Sequence, residues 1–279
     1  MNSFKHKLVN DLYWSINSIY KHELESVLIR RLNNISFSNK LDLYVDLFEF
    51  TYWDENPKEL LDFIGDYNNK PLGVYFESLC RFYFRKHVDF EIVFENHQII
   101  ENKITITEFD LCVKDLKKNL YHHIEFSVKF YLENNNAHNP IDWIGPNAKD
   151  NFKKKLLKTE NQFKQAERYI DLELNKVFFL KGLNFKYKKT NYWWCRIGEE
   201  QELLNSSLII AILPKQYWLG LNDFKQKELE FFSKNDSKKI LMELIKLTNK
   251  SVCIGLFQKN KKHYKEIERG FIVNKNWPN

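Results

Sequence analysis

Polar and apolar residues alternate over two neighbouring stretches in the middle of the chain, residues 105–113 and 121–131. Side chains of a strand point in turn to its two faces. The first stretch therefore predicts a strand with Phe109, Leu111 and Val113 on one side and Glu108 and Asp110 on the other. The second predicts Ile124, Phe126, Val128 and Phe130 on one face and His123, Glu125, Ser127 and Lys129 on the other. Residues 117–119 between them read as a hairpin turn, and residues 88–95 as a preceding strand closed by a turn at Asn96. Strands paired in this way bury one face and gather Glu108, Asp110, Glu125 and Lys129 on a common polar side.

Helical spacing governs much of the rest. Leu8, Leu12, Ile16 and Ile19 mark an N-terminal helix. A second helix is expected over 23–31, an extended stretch near 41–52, and a turn or helix start at 54–57. Residues 71–85 predict a helix with Pro71 near its start, where a missing N–H costs little. Its Val74, Leu79 and Phe82 are expected to face inward, and it carries Glu77. The longest helix is expected over 147–175, with a buried stripe of Phe152, Leu156, Phe163, Ile170 and Leu174. Lys155, Lys158, Gln162, Gln165 and Tyr169 border that stripe at helical steps. A short strand over 176–181, strands over 191–197, 207–213 and 251–257, and a helix over 238–248 complete the reading. The pattern divides the chain into a helical N-terminal extension (1–70), a core (71–184) and a C-terminal α/β extension (185–279).

Composition narrows the class. Hydrophobic residues make up 43% and aromatic residues 16%, with only 8 Gly and 6 Pro, which excludes a disordered or loop-dominated chain. The net charge of +6 hides an asymmetry: residues 1–146 carry 16 Lys and Arg against 22 Asp and Glu, whereas 147–191 carry 12 against 5. An acidic half followed by a basic helix bearing Lys153, Lys154, Lys155 and Lys158 suits a divalent-cation site beside a surface for a polyanion, nucleic acid above all. Cys80, Cys112, Cys195 and Cys253 lie far apart and read as buried thiols in a reducing compartment, not as a zinc site. No apolar run approaches the ~20 residues of a membrane span, so a cytoplasmic chain with no membrane partner is expected. The aromatic N-terminal helices and Tyr192, Trp193 and Trp194 are candidate contacts for a protein partner or a second copy of the chain.

Carboxylates on adjacent strands with one nearby ammonium are the composition of a site that holds a hard cation such as Mg²⁺ or Mn²⁺ and hydrolyses phosphodiesters. The order of elements adds to this: a helix with Glu77, a strand, a strand with Asp110, a strand with Glu125 and Lys129, then a long helix with Gln162 and Gln165. That order resembles the αβββαβ core of the PD-(D/E)XK, or restriction-endonuclease-like, nuclease superfamily, a mixed sheet flanked by helices. A closer resemblance is to the bacterial domain-of-unknown-function family 1853, regarded as a divergent member of that superfamily. It is carried by residues 9–14, 72–77, 107–110, 125–131 and 143–146, together with Asp150 and Gln162. The resemblance implies a metal-dependent nuclease, with DNA as the expected substrate. Asp110 becomes the central metal ligand, Glu125 the second, Lys129 the group at the attacking water and Glu77 the supporting carboxylate. Glu108, Ser127, Gln162, Gln165 and Tyr169 become auxiliary residues. One departure stands out: the superfamily places its lysine two residues after the acid, whereas here Ser127 holds that position and Lys129 follows four residues after Glu125. The alternative reading is an inactive nuclease-fold protein that binds nucleic acid or a protein partner.

Overall fold

The computed structural model describes residues 4–17, 45–134, 142–188, 192–200, 208–219, 223–225, 228–233, 251–261 and 263–278, with a few positions between 235 and 246. The helix expected over 23–31 lies outside these residues, and that over 238–248 largely so. The chain forms an α/β structure of two compact units, one from residues 1–128 and 155–181, the other from 129–154 and 182–279.

In the first unit α1 (Lys7–Asn17) buries Leu8, Val9, Leu12 and Ile16 at the expected spacing. Helix α2 (Leu47–Glu55) stands where an extended stretch was expected. Its cause is Asp46, whose carboxylate accepts the Phe48 N–H at 2.8 Å and satisfies one of the open donors of the first turn. Helix α3 (Lys58–Ile64) starts directly after Pro57. Helix α4 (Leu72–Lys86) is buried over most of its circumference through Tyr75, Phe76, Leu79, Phe82, Tyr83 and Phe84. Val74 stays 43% exposed, contrary to expectation, because the larger aromatic side chains take the inward face.

Strands β1 (Phe90–Glu101), β2 (Ile104–Asp115) and β3 (Leu120–Leu132) form an antiparallel meander. β1 runs through Asn96 instead of ending there. Asn96 has φ 47, a left-handed conformation that asparagine tolerates inside a strand, and the turn comes at Asn102 and Lys103 with φ 50 and 64. The β2–β3 turn falls where expected, its Asp115 carboxylate accepting from the N–H groups of Lys117 and Lys118 at 2.9 and 3.0 Å. Helix α5 (Phe152–Ala166) is shorter than the 147–175 expected. Acidic Glu167, Asp171 and Glu173 oppose the negative end of the helix dipole, and β4 (Leu174–Tyr187) begins soon after. Ile170 and Leu174 still pack on Phe109, Cys112 and Ala166.

Both faces of β3 are covered. Phe126 meets Phe76 and Phe84 of α4 with ring centroids 6.5 and 6.3 Å apart, while His123 meets Phe163 of α5 at 4.7 Å. The face that alternation assigned to the polar side is therefore interior, with His123 and Glu125 each 1% exposed. Alternation distinguishes the two faces of a strand but leaves open whether a helix covers the polar one.

The second unit adds β5 (Tyr192–Arg196), β6 (Ile209–Ile212), a 3-10 turn (Lys215–Tyr217), β7 (Asp223–Lys225), β8 (Val252–Asn260) and β9 (His263–Val273). β5 runs parallel to β9, whereas β8 and β7 pair antiparallel to β9 and β6 antiparallel to β8, giving a mixed sheet. Opposite Leu256 and Phe257 the β9 register skips Ile267, a bulge that brings Glu266 and Arg269 to the same side although three positions separate them. The buried Arg269 guanidinium then donates from Nε to Glu266 Oε1 and from Nη2 to Oε2, both at 2.7 Å. It also donates to the carbonyls of Trp218 and Tyr217, at 2.6 and 3.0 Å.

Next to it, Gly270 pairs with Trp193 across β5 and β9, and the indole lies where a side chain would stand: a Cβ at Gly270 would fall 2.4 Å from Trp193 ring carbons. Gly270→Ala should force the indole out of the cluster it shares with Cys195, Ile254 and Ile272 and cost about 1–3 kcal/mol. A urea midpoint unchanged from wild type would refute that close approach. All four cysteines are free and buried. Among the described residues no helix is long and apolar enough to cross a membrane.

Candidate functional site

The β2–β3 ladder runs regularly from Asp115 opposite Leu120 to Leu111 opposite Ile124, and then stops. Beyond that point the Phe126 N–H of β3 donates to the Asp110 side chain, Oδ2, at 2.8 Å. On the other edge of β2, Asp110 faces Asn96, the left-handed residue between the pairs Glu95–Leu111 and His97–Phe109. Asp110 thus sits where the sheet opens, its carboxylate standing in for a backbone acceptor.

Glu125 lies one residue before Phe126, and its Oε1 is 2.8 Å from His123 Nε2. The His123 ring is held between Phe109, with centroids 4.3 Å apart, and Phe163. Burial in this aromatic setting pushes the imidazole down to about 3, so it is neutral at physiological pH. Burial also pushes Glu125 up to about 8, with Lys155 pulling it down and Glu108 and Glu77 adding to the rise. Asp110 is pushed up to about 7, first by burial and then by Glu125. Glu77, brought in by α4, is pushed up to about 7 by burial and then by Asp110, against the pull of Arg81 and Lys155. The structure therefore brings Glu77, Glu108, Asp110 and Glu125 into one electrostatic neighbourhood that also holds Lys155. Such crowding keeps part of the cluster protonated at neutral pH.

Helix α5 closes the other side. The Thr107 hydroxyl donates to the Gln162 carbonyl at 3.4 Å, and the Lys155 ammonium stands 5.5 Å from the centre of the Phe178 ring. Gln162 Oε1 is buried with no hydrogen-bond partner. Gln165 and Tyr169 are engaged further along: Arg168 Nη1 donates to Gln165 Oε1 at 3.2 Å, and the Tyr169 hydroxyl to Glu101 Oε2 at 2.7 Å. Ser127 is buried, whereas Lys153, Lys154 and Lys158 point to solvent. Lys129 belongs to the second unit, where its ammonium donates to Asp150 Oδ2 at 2.5 Å.

Two features were not drawn from the sequence. One is the His123–Glu125 contact, whose signal was the two-residue spacing that puts both on one strand face. The other is Lys155, grouped with its neighbours as a polyanion contact. Its signal was its distance from Gln162, seven positions, which on a helix returns to nearly the same face.

Among the described residues no three His, Cys, Asp or Glu side chains are grouped closely enough to hold a metal ion together. Mg²⁺ asks for less from the protein. It commonly takes one or two carboxylates, keeps several waters and completes its shell with substrate phosphate oxygens. Asp110 and Glu125 supply oxygen donors of that kind, and a cation held by them would offset the burial and the crowding by neighbouring carboxylates that raise their affinity for protons. The donor set fits.

The model of a family described as a domain of unknown function, DUF1853, matches residues 11–170, more than half of the chain. The chain belongs to the DUF1853 family. Within the DUF1853 match lie Glu77, Glu108, Asp110, Glu125, Lys129, Lys155 and Gln162. No curated protein and no solved structure matches this DUF1853 chain.

Proposed function

We propose that this DUF1853 protein is a Mg²⁺- or Mn²⁺-dependent nuclease that hydrolyses phosphodiester bonds of DNA. The observation that carries the reading is the Asp110–Glu125 pair at the point where β2 and β3 part, crowded by Glu77 and Glu108 and under the influence of Lys155 on α5. The sequence α4-β1-β2-β3-α5-β4 supports it as well, because it follows the αβββαβ order of the PD-(D/E)XK core. Asp110 and Glu125 would hold the cation, which supplies charge to polarise the phosphate and to lower the pKa of a coordinated water. Asp110 is fixed for this task by the Phe126 N–H. Glu125 is oriented by neutral His123, whose tautomer decides which of the two donates. Glu77 adds negative charge from α4 and so raises affinity for a cation.

The exposed ammonium groups of Lys153, Lys154 and Lys158 supply a contact for the phosphate backbone. Changing these three to Glu should weaken DNA binding at low salt by more than tenfold and flatten its salt dependence. A fluorescence-anisotropy titration that finds unaltered affinity would remove the surface from the proposal. The nuclease reading itself is tested by incubating the purified protein with DNA and Mg²⁺ or Mn²⁺ beside an Asp110→Ala control. Equal residual cleavage in the two sinks it. A second reading, a DNA-binding protein without turnover, is favoured by the engagement of Lys129 with Asp150. It is distinguished by salt-sensitive binding with no metal-dependent cleavage.

A further inference from the structure

Resting on the nuclease reading, we propose that Lys155 of α5, and not Lys129, supplies the ammonium that works beside the carboxylates and meets the scissile phosphate. Lys155, Thr159, Gln162 and Ala166 follow one another at four-, three- and four-residue steps and so share a face of α5. Two contacts and one burial show that this face is turned to the sheet. Ala166 packs with Phe109 and Cys112, Thr159 is fully buried, and the Gln162 carbonyl accepts the Thr107 hydroxyl. Lys155 lies at the N-terminal end of the same face, half-buried over the Phe178 ring, whereas Lys153, Lys154, Lys158 and Lys164 are exposed.

Burying an ammonium is costly unless opposite charge meets it. The charges of the site lie within its reach: Glu77, Asp110 and Glu125 are each pulled down by Lys155. Beyond Lys155 the same face carries the buried, unpartnered Gln162 Oε1, an acceptor left open toward the interior. Lys129 meanwhile has a carboxylate of its own in Asp150. The two-residue displacement that separates Lys129 from the superfamily pattern is thereby answered from a different element: the positive charge comes from the helix that covers the sheet.

The test compares Lys155→Met, Lys155→Arg and Lys129→Met with wild type in two measurements, Mn²⁺ binding by calorimetry and cleavage of duplex DNA in Mn²⁺. Removing a positive charge next to a cation site strengthens cation binding, so Lys155→Met should bind Mn²⁺ about three- to tenfold more tightly. It should at the same time cleave at least about 100-fold more slowly. A lysine with a merely structural role would not move these two readouts in opposite directions. Lys155→Arg, which keeps the charge, should retain the wild-type Mn²⁺ affinity, and Lys129→Met should stay within about threefold of wild type in both measurements. Wild-type Mn²⁺ affinity in Lys155→Met, or a cleavage loss found in Lys129→Met and absent from Lys155→Met, overturns the proposal. If wild type binds Mn²⁺ and cleaves nothing, the nuclease reading falls, and the proposed role at a phosphate falls with it. The Mn²⁺ shift in Lys155→Met would still place Lys155 at the cation site.

Discussion

Under the proposed nuclease reading Asp110→Asn should sharply reduce metal-dependent cleavage and, in the same protein, raise the thermal midpoint at neutral pH. The amide keeps an oxygen to accept the Phe126 N–H, so the contact that replaces the β2–β3 ladder survives; alanine would leave that N–H open. What the amide removes is the charge. Asp110 is pushed up to about 7 by burial and by Glu125, from an ordinary value of 3.8. A carboxyl raised in the folded state gives its full contribution to stability below the unfolded value, and that contribution is lost as pH rises through the folded one. Wild type should therefore lose stability between about pH 4 and pH 8, with Glu77 and Glu125 adding losses of the same sign. His123 runs the other way: its value is depressed, so its contribution is lost as pH falls below about 6.5.

Asp110→Asn should show little stabilisation at pH 4 and about 1–3 kcal/mol at pH 8, roughly 3–9 °C in a chain of this size. On the proposed nuclease reading, loss of one of the two carboxylates that would hold the cation should reduce cleavage on the order of 10³-fold. Differential scanning fluorimetry at the two pH values, without metal, checks the first part. A variant less stable than wild type at pH 8 would show that Asp110 is held for packing and not at the expense of stability.

The second large effect belongs to the other unit. Glu266→Leu leaves the Arg269 guanidinium buried with its two carboxylate bonds gone. An uncompensated charge of this kind costs about 3–5 kcal/mol. Remaining bonds to the Trp218 and Tyr217 carbonyls fix its position without neutralising it. Pairing the change with Arg269→Met should recover most of the loss, since replacing a whole buried ion pair by apolar side chains is often neutral or stabilising. Chemical denaturation of the two single variants and the double variant measures the coupling. Strictly additive losses would mean the two side chains do not act as a pair.

The same ion pair explains why β9 was not legible in the sequence. Residues 263–273 contain Glu266, Glu268, Arg269 and Gly270, which interrupt any period-2 apolar pattern. The bulge at Ile267 and the indole of Trp193 over Gly270 make Glu266, Arg269 and Gly270 interior strand positions. By contrast β2, β3, α1 and α4 carry their apolar stripes openly and were placed from spacing. Asn96 misled for a specific reason: asparagine marks turns because it tolerates the left-handed region, and here that tolerance is used in mid-strand, opposite Asp110. Glu77, Asp110 and Glu125 were recognisable as a set from their order along the chain. Their burial was not, because it depends on the faces of α4 and α5 that settle on β3.

The division of the first unit into residues 1–128 and 155–181 also bears on the order in which the protein is made. On a ribosome, β2 and β3 emerge well before Phe163, the ring that closes over His123, and before Leu174, which seals the Phe109 cluster. The segment 129–154 is released in between, yet most of the unit to which it belongs, 182–279, has still to be synthesised. Until α5 is made, the face of β3 that bears His123 and Glu125 lacks the ring of Phe163 that covers it in the finished unit. Docking of α5 then takes water from that face and adds to the burial and mutual repulsion that raise the carboxylates' affinity for protons.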